Sequence, residues 1–229
     1  MKTKVKDYET LLLAAGRQVE RNLNHAVVSY CDMSGAKLCL HALSLNADGA
    51  WASNAVFDRS YLRDALFTSA HMRRASFRHC YLMDAQFDHT DLREADFSHA
   101  ILEDASIHGA NLQGAILHNA DLSGADLRNA DLRGANLDGI RLDGALLDGA
   151  RGPFAAIQFS RHQLIVAGGN VHINGYRYSY TEWLAQGERI MREMQYSEPE
   201  VDLYMSASRS AIAWLTGTWE PSADDGFPV

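Results

Sequence analysis

The chain has 229 residues, 47% of them hydrophobic, and a formal net charge of −8 at pH 7, a composition typical of water-soluble domains. The charge divides evenly, −4 in residues 1–152 and −4 in residues 153–229, so neither part offers the basic surface that nucleic acid or an anionic membrane requires. No apolar run approaches the ~18 residues that span a bilayer, and Leu11–Ala15 is too short for a signal-peptide core, so a cytoplasmic location is expected.

In chain order, residues 1–20 contain DYETLLLAA, which predicts a short amphipathic helix over residues 6–16 acting as an N-terminal cap. A period of five then begins, with Leu23, Val28, Met33, Leu38 and Leu43 as its large apolar residues. From Leu43 to Phe57 is 14 residues rather than 15, which predicts a bulge or short loop around Ser44–Ser53, with Trp51 over it. From Phe57 to Leu147 every fifth residue is large and apolar, 19 positions without a gap. Two residues before each lies a small residue, Ala in all but four cases: Ser60, Cys80, Thr90 and Ile140. Neither a helix nor a strand gives a strict period of five. Cys31, Cys39 and Cys80 have no paired metal-ligand spacing and read as small packing residues.

Segments such as ADLSG ADLRN ADLRG ANLDG resemble the pentapeptide-repeat family, whose pattern is A(D/N)LxX. The resemblance covers residues 21–152 and implies an all-β solenoid, a right-handed quadrilateral β-helix with four pentapeptides per coil. The central Leu or Phe and the small residue two before it would point inward. Each coil alone cannot bury its apolar residues, so stacking supplies the core. No proline precedes Pro153, leaving every backbone N–H of the solenoid free to pair. About six coils at ~4.8 Å make a rod of roughly 29 Å.

With four pentapeptides per coil, residues 20 apart share a wall. Phe57, Phe77 and Phe97 define the first wall, and Leu62, Leu82, Leu102, Leu122 and Leu142 the second. The second wall carries Asp64, Asp84, Glu103, Asp104, Asp121 and Asp143 against Arg63 and Arg141, a net −4. Tyr61 and Tyr81 form a neighbouring ladder. Stacked like charges repel, and a cationic partner would relieve that repulsion. Some members of the family bind DNA gyrase by imitating duplex DNA. A 29 Å duplex carries about 17 negative charges, so any such mimicry is confined to this one wall. The gyrase-protecting type also uses long projecting loops, for which the register from 57 to 147 leaves no room. His79 and His99 stack on the first wall, with Asn119 next and His118 nearby, and read as exposed structural histidines.

Beyond Gly152-Pro153 the repeat stops. Gln163–Ala167 and Val171–Ile173 around Gly168-Gly169-Asn170 predict a hairpin, and Asn174-Gly175 a second turn into Tyr176–Ser179. Thr181 reads as the N-cap of a helix through Gln195, and Ser197 with Pro199 as the start of another to about Thr216. The last dozen residues read as disordered. AGGNVHING, YTEWLAQ and SAIAWL resemble the tails of phage and prophage pentapeptide-repeat proteins. That resemblance implies a β-hairpin and two-helix capping or dimerisation module over residues 153–229, with Trp183, Leu184, Tyr204, Ile212 and Leu215 as the apolar residues of a homodimer contact.

There is no P-loop, GxSxG, HExxH or CxxC. The sequence therefore predicts no enzyme, no cofactor and no metal, and no direct contact with nucleic acid or membrane. Two function classes remain: a protein-interaction module engaging a DNA-handling enzyme such as a topoisomerase through the acidic wall, or a structural protein of phage origin acting as a rigid oligomeric rod.

Overall fold

The computed structural model describes residues 24–158 and 163–218. The expected helix within residues 6–16, Leu23, and the final segment from Trp219 lie outside them. From residue 24 to 151 the chain winds as a β-solenoid whose outward residues form parallel bridges 20 apart, as in His41↔Tyr61↔Tyr81↔Ile101↔Asp121↔Arg141.

The backbone accounts for the period. Around Leu62, the Leu62 N–H donates to Tyr81 O of the next coil, and Tyr81 N–H donates back to Ser60 O. Asp64 N–H donates to Met83 O, and Ala65 N–H closes the turn on Leu62 O. Four of every five N–H groups are thus consumed. The fifth, just after the central residue, is met by an Asp or Asn two positions earlier where the sequence supplies one: Ser98 N–H by Asp96, Gln113 by Asn111, Ser123 by Asp121 and Arg133 by Asp131. This bond, a side chain holding the backbone two residues on, is the physical content of the (D/N) in the repeat.

Inside, Phe57, Phe77 and Phe97 stack at 4.9 Å, and Phe67 and Phe87 at 5.1 Å, on opposite walls. The two stacks meet edge to face at 5.7–6.1 Å. Aromatic pairs prefer these offset and T-shaped arrangements, and here the coil spacing imposes them.

The phase break lies elsewhere than the predicted Ser44–Ser53. Bridges in the first coil run 19 apart, Val27↔Asn46 to Lys37↔Val56, and become 20 apart from His41. The missing residue falls between Leu38 and Ala42. There is no bulge at 44–53, where regular turns continue. Leu43 points outward at 44% exposure, and the buried pairs are Leu40 with Ala42 and Leu45 with Ala47. Large and small residues have exchanged inward positions, so a search for large centres lost the phase. Trp51 stands on the outer surface against His71, ring centroids 4.3 Å apart.

The shortened side strands two backbone groups, and Ser60 recovers both. Leu40 N–H donates to Ser60 Oγ at 2.8 Å, and Ser60 Oγ donates to Leu38 O at 3.3 Å. Two other exceptions to Ala act similarly: Cys80 Sγ donates to Phe57 O and Thr90 Oγ1 to Phe67 O. The fourth, Ile140, lies fully buried beneath Gly168 of the tail.

The tail is a four-stranded antiparallel meander, β1 (Phe154–Gln158), β2 (Gln163–Ala167), β3 (Asn170–Ile173) and β4 (Tyr176–Ser179). Strand β1 has no turn signal in the sequence and was not expected. Helices α1 (Tyr180–Glu193) and α2 (Glu198–Thr216) complete it. The N-cap of α1 is Ser179, whose side chain accepts from Glu182 N, rather than Thr181. Strand β4 runs straight into the helix, so its last residue does the capping. On β2, Ile165 and Ala167 join the solenoid core, whereas Leu164 and Val166 join the helical core. The sheet is therefore a middle layer between the last coil and the helices. Gly168 fits only because it lacks a Cβ, which would collide with Leu137 O.

Replacing Ser60 with Ala leaves Leu40 N–H and Leu38 O unpaired in the core. Denaturant unfolding of Ser60→Ala is expected to show a loss of about 1–3 kcal/mol.

Candidate protein-interaction surface

The second wall presents three outward columns. The first runs His41, Tyr61, Tyr81, Ile101, joined by bridges. His41 meets Tyr61 edge-on at 4.8 Å, and Tyr61 stacks on Tyr81 at 4.4 Å and 6°. A hydrogen bond from Tyr81 pushes the Tyr61 phenol up. The second column is Leu43, Arg63, Met83, Glu103, and the third Ser44, Asp64, Asp84, Asp104, at the corner of the coil.

The predicted acidic residues separate into two groups. Asp121 is bound within the repeat, accepting from Ser123 N and from Arg141 at 2.7 Å. Asp143 is covered by the tail, its side chain 12% exposed, and lies 3.6 Å from Arg141 and 3.5 Å from His172. These two are structural. Asp64 and Asp84 stay at the surface with Arg63 between them, at 3.8 and 3.0 Å. Glu103 and Asp104 are exposed and meet no cation among the described residues. On this wall, negative charge without a cation is left at Glu103 and Asp104; elsewhere on the solenoid Asp138 and Asp148 are likewise exposed without an ion pair among the described residues.

Several other carboxylates of the solenoid are neutralised locally by arginines. Asp131 is held well below the usual carboxylate range by the Arg133 guanidinium, with help from Gln113. Arg93 and Arg128 depress Asp91 and Asp126 in the same way. Glu94 is clamped by Arg73 and Arg74, which lower it.

A further signal, not read from the sequence pattern above, is conformational. The second turn residue of every pentapeptide has positive φ. In the nine turns from residue 109 to 149 that residue is Gly seven times and Asn twice, whereas in the eleven from 54 to 104 it is never Gly. Arg59, Ser69, Arg74 and Glu94 hold left-handed backbone at φ 58–61°, which costs a residue with a Cβ roughly 1–2 kcal/mol. The coils around Tyr61, Tyr81, Asp64, Asp84 and Asp104 therefore keep side chains at strained corners that the later coils give up. Backbone strain of this kind clusters at working surfaces.

The histidines of the first wall pack on one another, His79 on His99 at 4.9 Å and His99 on His118 at 5.5 Å. No group of three or more His, Cys, Asp or Glu among the described residues could hold a metal ion. Nor is any helix among them long and apolar enough to cross a membrane. A crevice between the last coil and the sheet is lined by Leu142, Asp143, Gly144, Gln163, His172 and Asn174, among others. His172 is 2% exposed there. Burial lowers its pKa, Asp143 opposes that, and Arg177 and Arg141 add to the lowering.

Of the residues expected at a homodimer contact, Trp183, Tyr204 and Ile212 are buried in the tail's own core, and Leu215 packs against it. Trp183 Nε1 donates to buried Ser208 Oγ at 2.8 Å. Leu184 alone of the five is exposed, at 45%. The large apolar residues that reach solvent on the helices are Leu184, Leu203 and Trp214.

The architecture defines a parallel β-solenoid rod with a capping module at its C-terminal end. Residues 48–82, 80–119 and 117–149 match the model of the family Pentapeptide repeats, in eight copies, which supports placing this stretch of the chain in the pentapeptide-repeat family. Repeats of that family wind as a right-handed quadrilateral β-helix, and its members are generally non-enzymatic structural or interaction proteins. A pentapeptide-repeat protein (Rfr23) from the cyanobacterium Cyanothece 51142 is 33% identical over 42% of this chain and 62% of its own, with TM-score 0.35. One from the thylakoid lumen of Arabidopsis thaliana is 26% identical over 52% and 63%, with TM-score 0.32. This chain thus spans about three-fifths of the length of each. The full-length plasmid-mediated fluoroquinolone resistance protein QnrB1 is 23% identical over 54% of this chain and 80% of its own, with TM-score 0.24. No curated protein matches the sequence.

Arg59→Gly relieves left-handed strain, offset in part by the freer unfolded chain, and is expected to stabilise by about 0.5–1 kcal/mol in thermal melts. The depressed pKa of His172 means that the unfolded chain takes up a proton near the ordinary 6.5 while the folded one resists. Stability from this site is therefore full above that value and declines as pH falls below it. Urea titrations of His172→Gln across that window should show a shallower acid decline than wild type.

Proposed function

We propose that this protein is a non-enzymatic interaction module whose second wall, over the coils of residues 57–104, receives the cationic surface of a protein partner. The observation that carries the reading is the corner column Asp64, Asp84, Asp104. These residues keep left-handed backbone beside the Tyr61–Tyr81 stack, and the charge of Glu103 and Asp104 is left for a partner to meet. Tyr61, Met83 and Ile101 add apolar area, and aromatic residues are enriched at interfaces. A DNA-handling enzyme such as a topoisomerase has the cationic groove this wall suits, in keeping with the gyrase-binding members of the family that the repeat resembles. Mimicry of duplex DNA would be partial, because Asp121 and Asp143 are engaged inside the molecule and the exposed acids of this wall occupy two adjacent columns over a few coils. Three free cysteines accord with a reducing, cytoplasmic setting.

The test is a titration of purified bacterial type II topoisomerase with wild type and with Asp64→Asn/Asp84→Asn/Glu103→Gln/Asp104→Asn. Binding and inhibition of supercoiling are expected with wild type, weakened at least tenfold by the substitutions and by raised salt. Equal effects of both proteins, or of neither, would remove the acidic wall from the function.

A further inference from the structure

We infer that the crevice between the last coil and the sheet is a binding site for a small ligand that carries a primary ammonium group on a short apolar stem, with Asp143 and His172 as its polar contacts. The inference does not depend on the partner proposed for the second wall.

Asp143 stands on the last coil and His172 on β3, and both line the crevice. Among the described residues, the buried side-chain atoms without a hydrogen-bond partner are Asp143 Oδ1 and the two ring nitrogens of His172. Nδ1 and Oδ1 lie 3.5 Å apart, too long to satisfy either. Leaving a buried polar atom unpaired costs its desolvation in full, and folded chains rarely do so. The other buried polar side chains, Ser60, Thr90 and Ser208, are all bonded. The unpaired atoms thus belong to two residues that line one crevice. Its volume of about 360 Å³ falls within the range of small-molecule sites.

The polar atoms select the ligand. A carboxylate oxygen only accepts, and an imidazole kept neutral by burial presents one accepting nitrogen and one N–H. A group with several donor hydrogens serves both residues, and a primary ammonium has three. Asn174 commits its amide nitrogen to Tyr196 Oη at 2.9 Å, so what it offers the crevice is its carbonyl oxygen, a further acceptor. The local charge agrees. Arg141 is shared between Asp121 at 2.7 Å and Asp143 at 3.6 Å, which leaves one negative charge among the three. Arg177 is directed to Gly139 O at 3.0 Å. An anionic ligand would be repelled by Asp143. A metal ion would find two ligands rather than three or four, since no third His, Cys, Asp or Glu among the described residues joins them. The apolar stem has its place as well, because Leu146, 44% exposed, and Ile173 line the same crevice. Coil and sheet each supply one polar contact, so a bound ligand also ties the tail to the solenoid.

The experiment is an NMR titration of the full chain, carrying isotope-labelled histidine, with n-butylamine added as its hydrochloride at constant neutral pH. The ring-nitrogen resonances of His172 are assigned by their loss in His172→Gln. n-Butylamine should shift both resonances in a saturable way and raise the melting temperature. Asp143→Asn, which keeps the shape of the side chain, should weaken that binding about tenfold. Two comparisons need only wild type and so stand even if a variant folds poorly. Tetramethylammonium, a cation without N–H, should leave the resonances in place, and n-butanol, the same stem without charge, should bind about tenfold more weakly. Nα-acetyl-lysine amide separates two sources of the same chemistry: tighter binding than n-butylamine assigns the site to a lysine side chain, and weaker binding to a free amine. Unshifted resonances with n-butylamine, as for a crevice that takes only water, would overturn the proposal. So would equal shifts with tetramethylammonium, or a folded Asp143→Asn protein that responds as wild type does.

Discussion

Everything in this molecule depends on a backbone that closes a side every five residues and pairs each side with the one 20 residues on. With four of five N–H groups committed by this geometry, the side chains are sorted with little freedom. Two positions in five point inward and must pack. Two lie at a corner, one of them left-handed. The remaining position forms the bridge, and an Asp or Asn there secures the last N–H. The repeat pattern is a list of what each position requires.

The constraint also explains where the chain departs from its pattern. Removing one residue between Leu38 and Ala42 would leave unpaired amide groups in a dry core. The neighbouring coil answers with Ser60 in place of Ala, its hydroxyl serving as both donor and acceptor. At the other end the solenoid must stop without exposing its core. There a sheet takes over, with Ile165 and Ala167 facing the coil and Leu164 and Val166 facing the helices. Gly168 is required where the sheet comes closest to Leu137.

The surface is the freer part of the molecule, and choices made there carry information. Most carboxylates in the solenoid are spent on local bonds, as at Asp91, Asp126 and Asp131. Glu103 and Asp104 are not, and Asp64 and Asp84 share the single Arg63; all four stand in the coils where no corner has been relaxed to Gly. This places the candidate surface in one wall and one portion of the rod.

The sequence by itself made the solenoid legible, because the strict period of five excludes helix and simple strand and the A(D/N)LxX pattern resembles the pentapeptide-repeat family, whose coils are solenoidal. It also determined the second wall, the Phe stacks, the hairpins and the start of α2, all of which arise from local spacing and caps. The tertiary structure decided what depends on size and contact across coils. It placed the phase break at Leu38–Ala42, where Leu and Ala exchange roles and size no longer reports the register. It removed Asp121 and Asp143 from the open acidic face, because their partners Arg141 and His172 lie 20 and 29 residues away. It also turned Trp183, Tyr204 and Ile212 inward and left Leu203 and Trp214 outside. An apolar residue on a helix reads the same in sequence whether it meets its own sheet or another molecule, and only the packing of the sheet against one side of α2 distinguishes them.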